Sequence, residues 1–136
     1  MVQTPNDIES LTETVIGCAI EVHRALGPGL LESVYRDCLL IELREAGLKV
    51  DHERRVAIAY KGRPIAGGLK LDLIVDERLI LELKAVERLI PVFEAQTITY
   101  LKLTGCPAAL LINFNAETLK AGLRRLKHPD LYKNRL

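Results

Sequence analysis

The chain has 136 residues, enough to bury a sizeable core, and its 49% hydrophobic, 27% charged composition excludes the charge-rich, apolar-poor regime of disordered chains. A formal charge of +1 gives no global case for a polyanion partner, so any such surface must come from local clustering. Three scattered cysteines, Cys18, Cys38 and Cys106, lack metal-ligand spacing and read as reduced core residues, while no stretch reaches the ~18–20 apolar residues of a membrane span. These features predict a single domain spanning 1–136, cytoplasmic and without membrane association.

Between about Asp7 and Leu26, the residues Ile8, Leu11, Val15, Ile16, Ala19, Ile20, Val22 and Leu26 recur at three- and four-residue steps. That spacing predicts an amphipathic helix capped by Asn6 or Asp7. His23 falls on the Ile16 and Ile20 face and reads as a satisfied, partly buried histidine. Gly27-Pro28-Gly29 breaks the helix. A second helix is expected from about Leu30 to Ala46, with Leu31, Val34, Cys38, Ile41 and Leu43 as apolar positions and Gly47 closing it.

The following stretch is rich in β-branched residues and punctuated by Lys61-Gly62-Arg63-Pro64 and Gly67-Gly68. It predicts three strands near 53–60, 67–75 and 79–86. Pro91 suits the first turn of a third helix ending near Gly105. PAALLINF, 107–114, reads as a buried strand, and the segment after it is ambiguous between helix and strand. His52 and His128 fall in charged segments read as exposed. The order predicts an α/β fold with a mixed sheet and helices packed against it.

The stretch LDLIVDERLILELKAV, 71–86, places Asp72, Glu82 and Lys84 among residues expected in or near the core. Alternation puts Leu69, Leu71, Leu73 and Val75 on one face, and Leu79, Leu81, Leu83 and Ala85 on one face of the next strand. Bringing both faces to one core makes paired residue numbers sum to an even value such as 154, which sets Asp72 opposite Glu82. A two-residue loop would spoil that register, so a three- or five-residue connection or a bulge is expected.

Facing carboxylates repel unless a cation intervenes. Oxygen ligands of this kind suit Mg²⁺, or Mn²⁺, which keep several waters. Lys84 follows Glu82 on the same face at roughly 6.5–7 Å, within reach of a bound water or a phosphate oxygen. Such a set suits phosphodiester hydrolysis. The plainer alternative is an Asp72–Lys84 ion pair with Glu82 reaching solvent.

GLLESVY, 29–35, together with LDLIVDERLILELKAVERLIPVFEAQTITYLKLTG, 71–105, resembles the GxxExxY family of the PD-(D/E)xK nuclease superfamily. The resemblance runs from about Thr14 to Leu126, with Gly29, Glu32 and Tyr35 matching the family name. It implies a restriction-endonuclease-like αβββαβ core with an additional N-terminal helix. It also implies catalytic roles for Glu32, Asp72, Glu82 and Lys84, metal binding by Asp72, Glu82 and Glu32, and substrate or supporting roles for Gln96 and Tyr100. Leu71 stands where the superfamily signature has proline, a change in backbone shape that removes no ligand.

The implied activity is a Mg²⁺-dependent deoxyribonuclease. The alternative is a noncatalytic nucleic-acid- or protein-binding module that retained the fold. DNA is the expected partner, through basic groups at Arg54, Arg55, Lys61 and Arg63 and at Lys120, Arg124, Arg125, Lys127, Lys133 and Arg135. A homodimer through PAALLINF or the N-terminal helix is a candidate arrangement.

Overall fold

A computed structural model describes the backbone of residues 5–132 and the side chains from Asp7 onward. Three helices, α1 (Pro5–Leu26), α2 (Glu32–Glu45) and α3 (Pro91–Thr104), accompany seven strands. These are β1 (Val50–Val56), β2 (Ala59–Tyr60), β3 (Arg63–Pro64), β4 (Leu69–Val75), β5 (Leu79–Lys84), β6 (Ala108–Asn113) and β7 (Leu123–Lys127). The main sheet has the order β1-β4-β5-β6-β7, and β2 and β3 form a separate two-stranded ribbon. Only β5 and β6 run parallel, joined by the α3 crossover, so the sheet is mixed.

The sheet lies between two apolar layers. On one side α1 and α2 contribute Val15, Ala19, Leu39 and Leu43, packed with Leu73, Leu79, Leu81, Leu83 and Ile112. On the other, α3 brings Leu101 against Leu71, Ile74, Ile80 and Ala109. Central β5 is buried on both faces, which is why its sequence reads as a nearly continuous apolar run. Buried Glu82 and half-buried Lys84 are the exceptions.

The three-strand meander and crossover helix follow the predicted order, with several boundary corrections. Helix α1 begins at Pro5, so Asp7 lies in its first turn rather than at a cap; the Asn6 side chain lies outside the described residues. The first strand starts at Val50 and ends at Val56, because Lys61 and Gly62, with φ of 51° and 76°, fold the rest of the segment into the β2–β3 ribbon. The ambiguous final segment resolves into a short 3₁₀ turn, Lys120–Gly122, and β7. PAALLINF is flanked on both sides by β5 and β7, so its backbone edge is not open to a second copy.

Two expectations about faces are also corrected. On α2 the buried positions are Tyr35, Leu39, Leu40 and Leu43, whereas Leu31, Val34 and Ile41 are exposed. The α2 surface carries apolar residues on two sides, and periodicity alone does not choose between them. On β4, Leu73 and Val75 pack in the α1/α2 layer, whereas Leu69 and Leu71 join Ile74 in the α3 layer. Alternation therefore slips at Asp72. Opposite it in β1, Glu53 adopts φ 52°, and the ladder skips this one pair between His52↔Leu73 and Arg54↔Leu71.

Candidate active site

The β4–β5 hairpin sets the geometry. Its pairs Leu73↔Leu81, Ile74↔Ile80 and Val75↔Leu79 sum to 154, an even value as expected, with Asp76, Glu77 and Arg78 as a three-residue connection. Asp76 and Glu77 take φ of 55° and 57°, and Arg78 N–H donates to the Val75 carbonyl at 3.0 Å. This is the double left-handed turn that glycine or asparagine usually signals.

At the next position the ladder changes character. Asp72 N–H donates to Glu82 Oε2 at 3.0 Å, and Leu83 N–H donates to Asp72 Oδ2 at 2.9 Å. Each carboxylate thus replaces a strand carbonyl as acceptor for the other strand. The ladder gives way to side chains, and the carboxylates are fixed by backbone rather than by flexible contacts. The second oxygen of each makes no hydrogen bond to the described protein, and no side-chain polar atom among the described residues is sealed from solvent without a partner, so these oxygens keep some access to solvent.

The electrostatics are those of anions crowded together. Glu82 is only 7% exposed. Burial first, and the neighbouring Asp72 charge second, push its carboxyl up to about 8, and the Asp72 N–H and Lys84 only partly offset this. Glu32 is the first residue of α2 rather than the third, where the helix dipole favours its charge. Burial and Asp72 nevertheless raise its carboxyl, against the lowering influence of Lys84 and Arg36. The Tyr100 phenol is raised by burial and by Glu82 and Asp72. The structure therefore gathers Glu32, Asp72, Glu82, Lys84 and Tyr100 into one electrostatic neighbourhood.

Lys84 does not pair with Asp72. Its Nζ lies 4.4 Å from the centroid of the Phe93 ring on α3, a cation–π contact that steadies the ammonium while leaving its donors open. The plainer alternative, with an Asp72–Lys84 ion pair and solvated Glu82, is overturned by this contact and by the burial of Glu82. Gln96 is exposed on α3, one turn before Tyr100. Phe93 was not singled out from sequence, although Phe93, Gln96 and Tyr100 recur at three and four residues along one helical face.

The surrounding frame explains other residues. Tyr35 is fully buried and stacks on Phe114 at 4.8 Å. Its hydroxyl donates to the Gly27 carbonyl at 2.6 Å and accepts Leu30 N–H at 3.1 Å. Gly29, at φ 104°, donates its N–H to Asn115 Oδ1 at 3.0 Å. Together these hold the α1–α2 loop that delivers Glu32. Beyond β5, buried Asn113 accepts Val86 N–H and donates to the Val86 carbonyl, pinning the chain just after Lys84.

The histidines stand apart. His23 Nε2 donates to the Ala116 carbonyl at 2.8 Å, as a satisfied buried histidine. His128 is buried, contrary to expectation, and its Nδ1 accepts Asp130 N–H at 3.1 Å. His52 is exposed.

The donor chemistry fits a hard divalent cation. Two carboxylates present open oxygens beside a site that suffers from uncompensated negative charge, and ions such as Mg²⁺ need only one or two carboxylates with waters completing the shell. Among the described residues no group of three or more His, Cys, Asp or Glu side chains forms a metal cage. Glu32 therefore stands at electrostatic range rather than as a formed third ligand.

The family model for the PD-(D/E)XK nuclease superfamily matches residues 9–126, and the chain belongs to that superfamily. Its three helices and five-stranded mixed sheet accord with the restriction-endonuclease-like fold. Searches of curated proteins and of solved structures returned no significant match. No helix among the described residues is long and apolar enough to cross a membrane.

Proposed function

We propose that this chain is a single-domain, divalent-metal-dependent nuclease that hydrolyses phosphodiester bonds in DNA at the Asp72–Glu82–Lys84 site. The observation that carries the reading is the reciprocal anchoring of Asp72 and Glu82 by each other's strand, which sets two carboxylates side by side, each with one oxygen unused by the protein.

Asp72 and Glu82 would hold the cation, Mg²⁺ with Mn²⁺ as substitute, and Glu32 would adjust the charge around it. The ion when bound supplies a water of lowered pKa and neutralises charge at phosphorus. Lys84, steadied by Phe93, orients the attacking water or a phosphate oxygen. Tyr100, which feels the charges of Glu82 and Asp72, would bond to a phosphate oxygen through its hydroxyl, and exposed Gln96 would touch the substrate strand.

Labelled single- and double-stranded DNA and RNA incubated with Mg²⁺, Mn²⁺ or EDTA test this directly. Metal-dependent cutting of DNA that disappears in Glu82→Ala and Lys84→Ala is the expected result. Cutting of RNA alone would replace the substrate while keeping the site. No cutting by the wild type, with no metal binding by calorimetry, would favour a noncatalytic binding module.

A further inference from the structure

From Arg54 to Leu71 the chain contains five basic residues, Arg54, Arg55, Lys61, Arg63 and Lys70, and no acidic one. The fold collects this charge at one place. β1 and β4 pair as far as Val56↔Leu69, and the chain beyond them folds back as the β2–β3 ribbon, with Ala59 opposite Pro64 and Tyr60 opposite Arg63. Ile65 N–H donates to the Ile58 carbonyl at 2.8 Å, and Gly68 N–H to the Ile65 carbonyl at 3.3 Å. At Gly68, φ is 54° and a Cβ would lie 2.5 Å from the Val56 carbonyl oxygen, so the base of the ribbon closes tightly. Ile58 packs on the same apolar cluster as Tyr100. The ribbon is thus tied down rather than loose.

Its direction is set by topology. β4 and β5 are antiparallel, so the start of β4 and the end of β5 lie at one end of the sheet. Asp72 follows Lys70 by two residues, and β5 closes at Lys84. The ribbon leaves the sheet at that same end.

Its cations are available. Arg54 is the exception, bonded to Asp51 and to Glu77, the latter at 2.9 Å and 2.5 Å. Arg55, Lys61, Arg63 and Lys70 are exposed and pair with no carboxylate among the described residues. Tyr60 is 64% exposed, with Lys61 Nζ 5.4 Å from its ring centroid. Unpaired cations supply phosphate contacts and an open ring supplies a stacking surface. A two-stranded ribbon also has the dimensions to enter a major groove.

We infer that the β2–β3 ribbon, with Arg55 and Lys70 at its base, is the arm by which this protein grips nucleic acid beside the cleavage site. Arg55, Lys61, Arg63 and Lys70 meet phosphates, and Tyr60 lies against a base. The inference rests on the nuclease reading above and names the element that holds its substrate.

Fluorescence anisotropy with labelled duplex and single-stranded DNA in EDTA separates binding from cutting. Lys61→Ala/Arg63→Ala should weaken duplex binding about tenfold or more at low salt and flatten the log–log salt slope by roughly 1.8, two phosphate contacts' worth. Tyr60→Ala should weaken single-strand binding by about five- to a hundredfold with little change in slope. The control Arg44→Ala/Lys102→Ala, exposed positions near the far ends of α2 and α3, should change neither. All these side chains are exposed, and melting curves check that each variant folds.

Unchanged affinity and slope in the ribbon variants, with a wild type that binds and cuts, would overturn the ribbon and leave the site reading standing. An equal loss in the control pair would overturn it too, by tracing binding to diffuse charge. A wild type that neither binds nor cuts any probe would overturn both readings.

Discussion

Glu82 is where local chemistry speaks most clearly. Its carboxyl stands at about 8 rather than the ordinary 4.5, so the folded protein keeps a proton that the unfolded chain releases between those values. In EDTA its contribution is therefore fully favourable below about pH 4.5 and is lost as pH rises through about 8, a decline on the order of a few kcal/mol. Urea denaturation across this range should show the decline in wild type and a flatter profile in Glu82→Gln; an equal decline in both would place its origin elsewhere. Lys84 makes a different prediction. Lys84→Met should reduce turnover by roughly 10²–10⁴-fold, the scale of lost proton-transfer or electrostatic help. DNA affinity measured in EDTA should stay within a few-fold, because the ribbon cations are untouched. A comparable loss of affinity would make Lys84 a binding residue instead.

At the scale of elements, the α1–α2 loop and the β1–β4 crossing matter most. Tyr35 joins the loop to the core through two hydroxyl bonds and a ring stack. Tyr35→Phe keeps the stack and removes the bonds, so a loss of about 1–3 kcal/mol is expected. Activity should fall as well, since the loop carries Glu32; denaturant titration and cleavage rates read the two effects separately. Gly68→Ala forces a side chain into a left-handed backbone and against the Val56 carbonyl. It should cost upward of about 1 kcal/mol, and a melting temperature equal to wild type would show that the ribbon base can relax. Periodicity made the helices, the central hairpin and its even register legible in advance, because buried faces leave a strong imprint on sequence. The slip at Asp72 was not legible: the ladder skips the pair opposite Glu53, an ordinary charged residue whose left-handed φ of 52° no local sequence signal announces. Phe93 escaped notice for a related reason, since one aromatic on a helix reads as core until a cation is seen above it. The β2–β3 ribbon was hidden by its brevity, two residues on each side.

For the whole molecule, the proposed ion site would couple metal binding to folding. A cation that binds the folded site and not the unfolded chain stabilises by mass action, by about 2.7 kcal/mol at a hundredfold excess over its dissociation constant. Thermal unfolding with increasing Mg²⁺ should therefore shift upward in wild type and hardly at all in an Asp72→Ala/Glu82→Ala double variant. An identical shift in both would assign the ion to another place. The arrangement follows from how the layers are used. The α1/α2 layer and the α3 layer cover the central strand β5 on both faces, and where β4 and β5 exchange backbone partners for carboxylates apolar packing gives way to chemistry.

The reciprocal bonds between the two strands also make the protein its own spectroscopic indicator. The Asp72 amide proton points at the Glu82 carboxylate, and the Leu83 amide proton at Asp72. A change in charge on either acid should move one named backbone resonance in a two-dimensional ¹⁵N spectrum. Proton loss at Glu82, and the entry of the proposed ion, can then be followed at these two amides on an intact and unmodified chain with no substrate present.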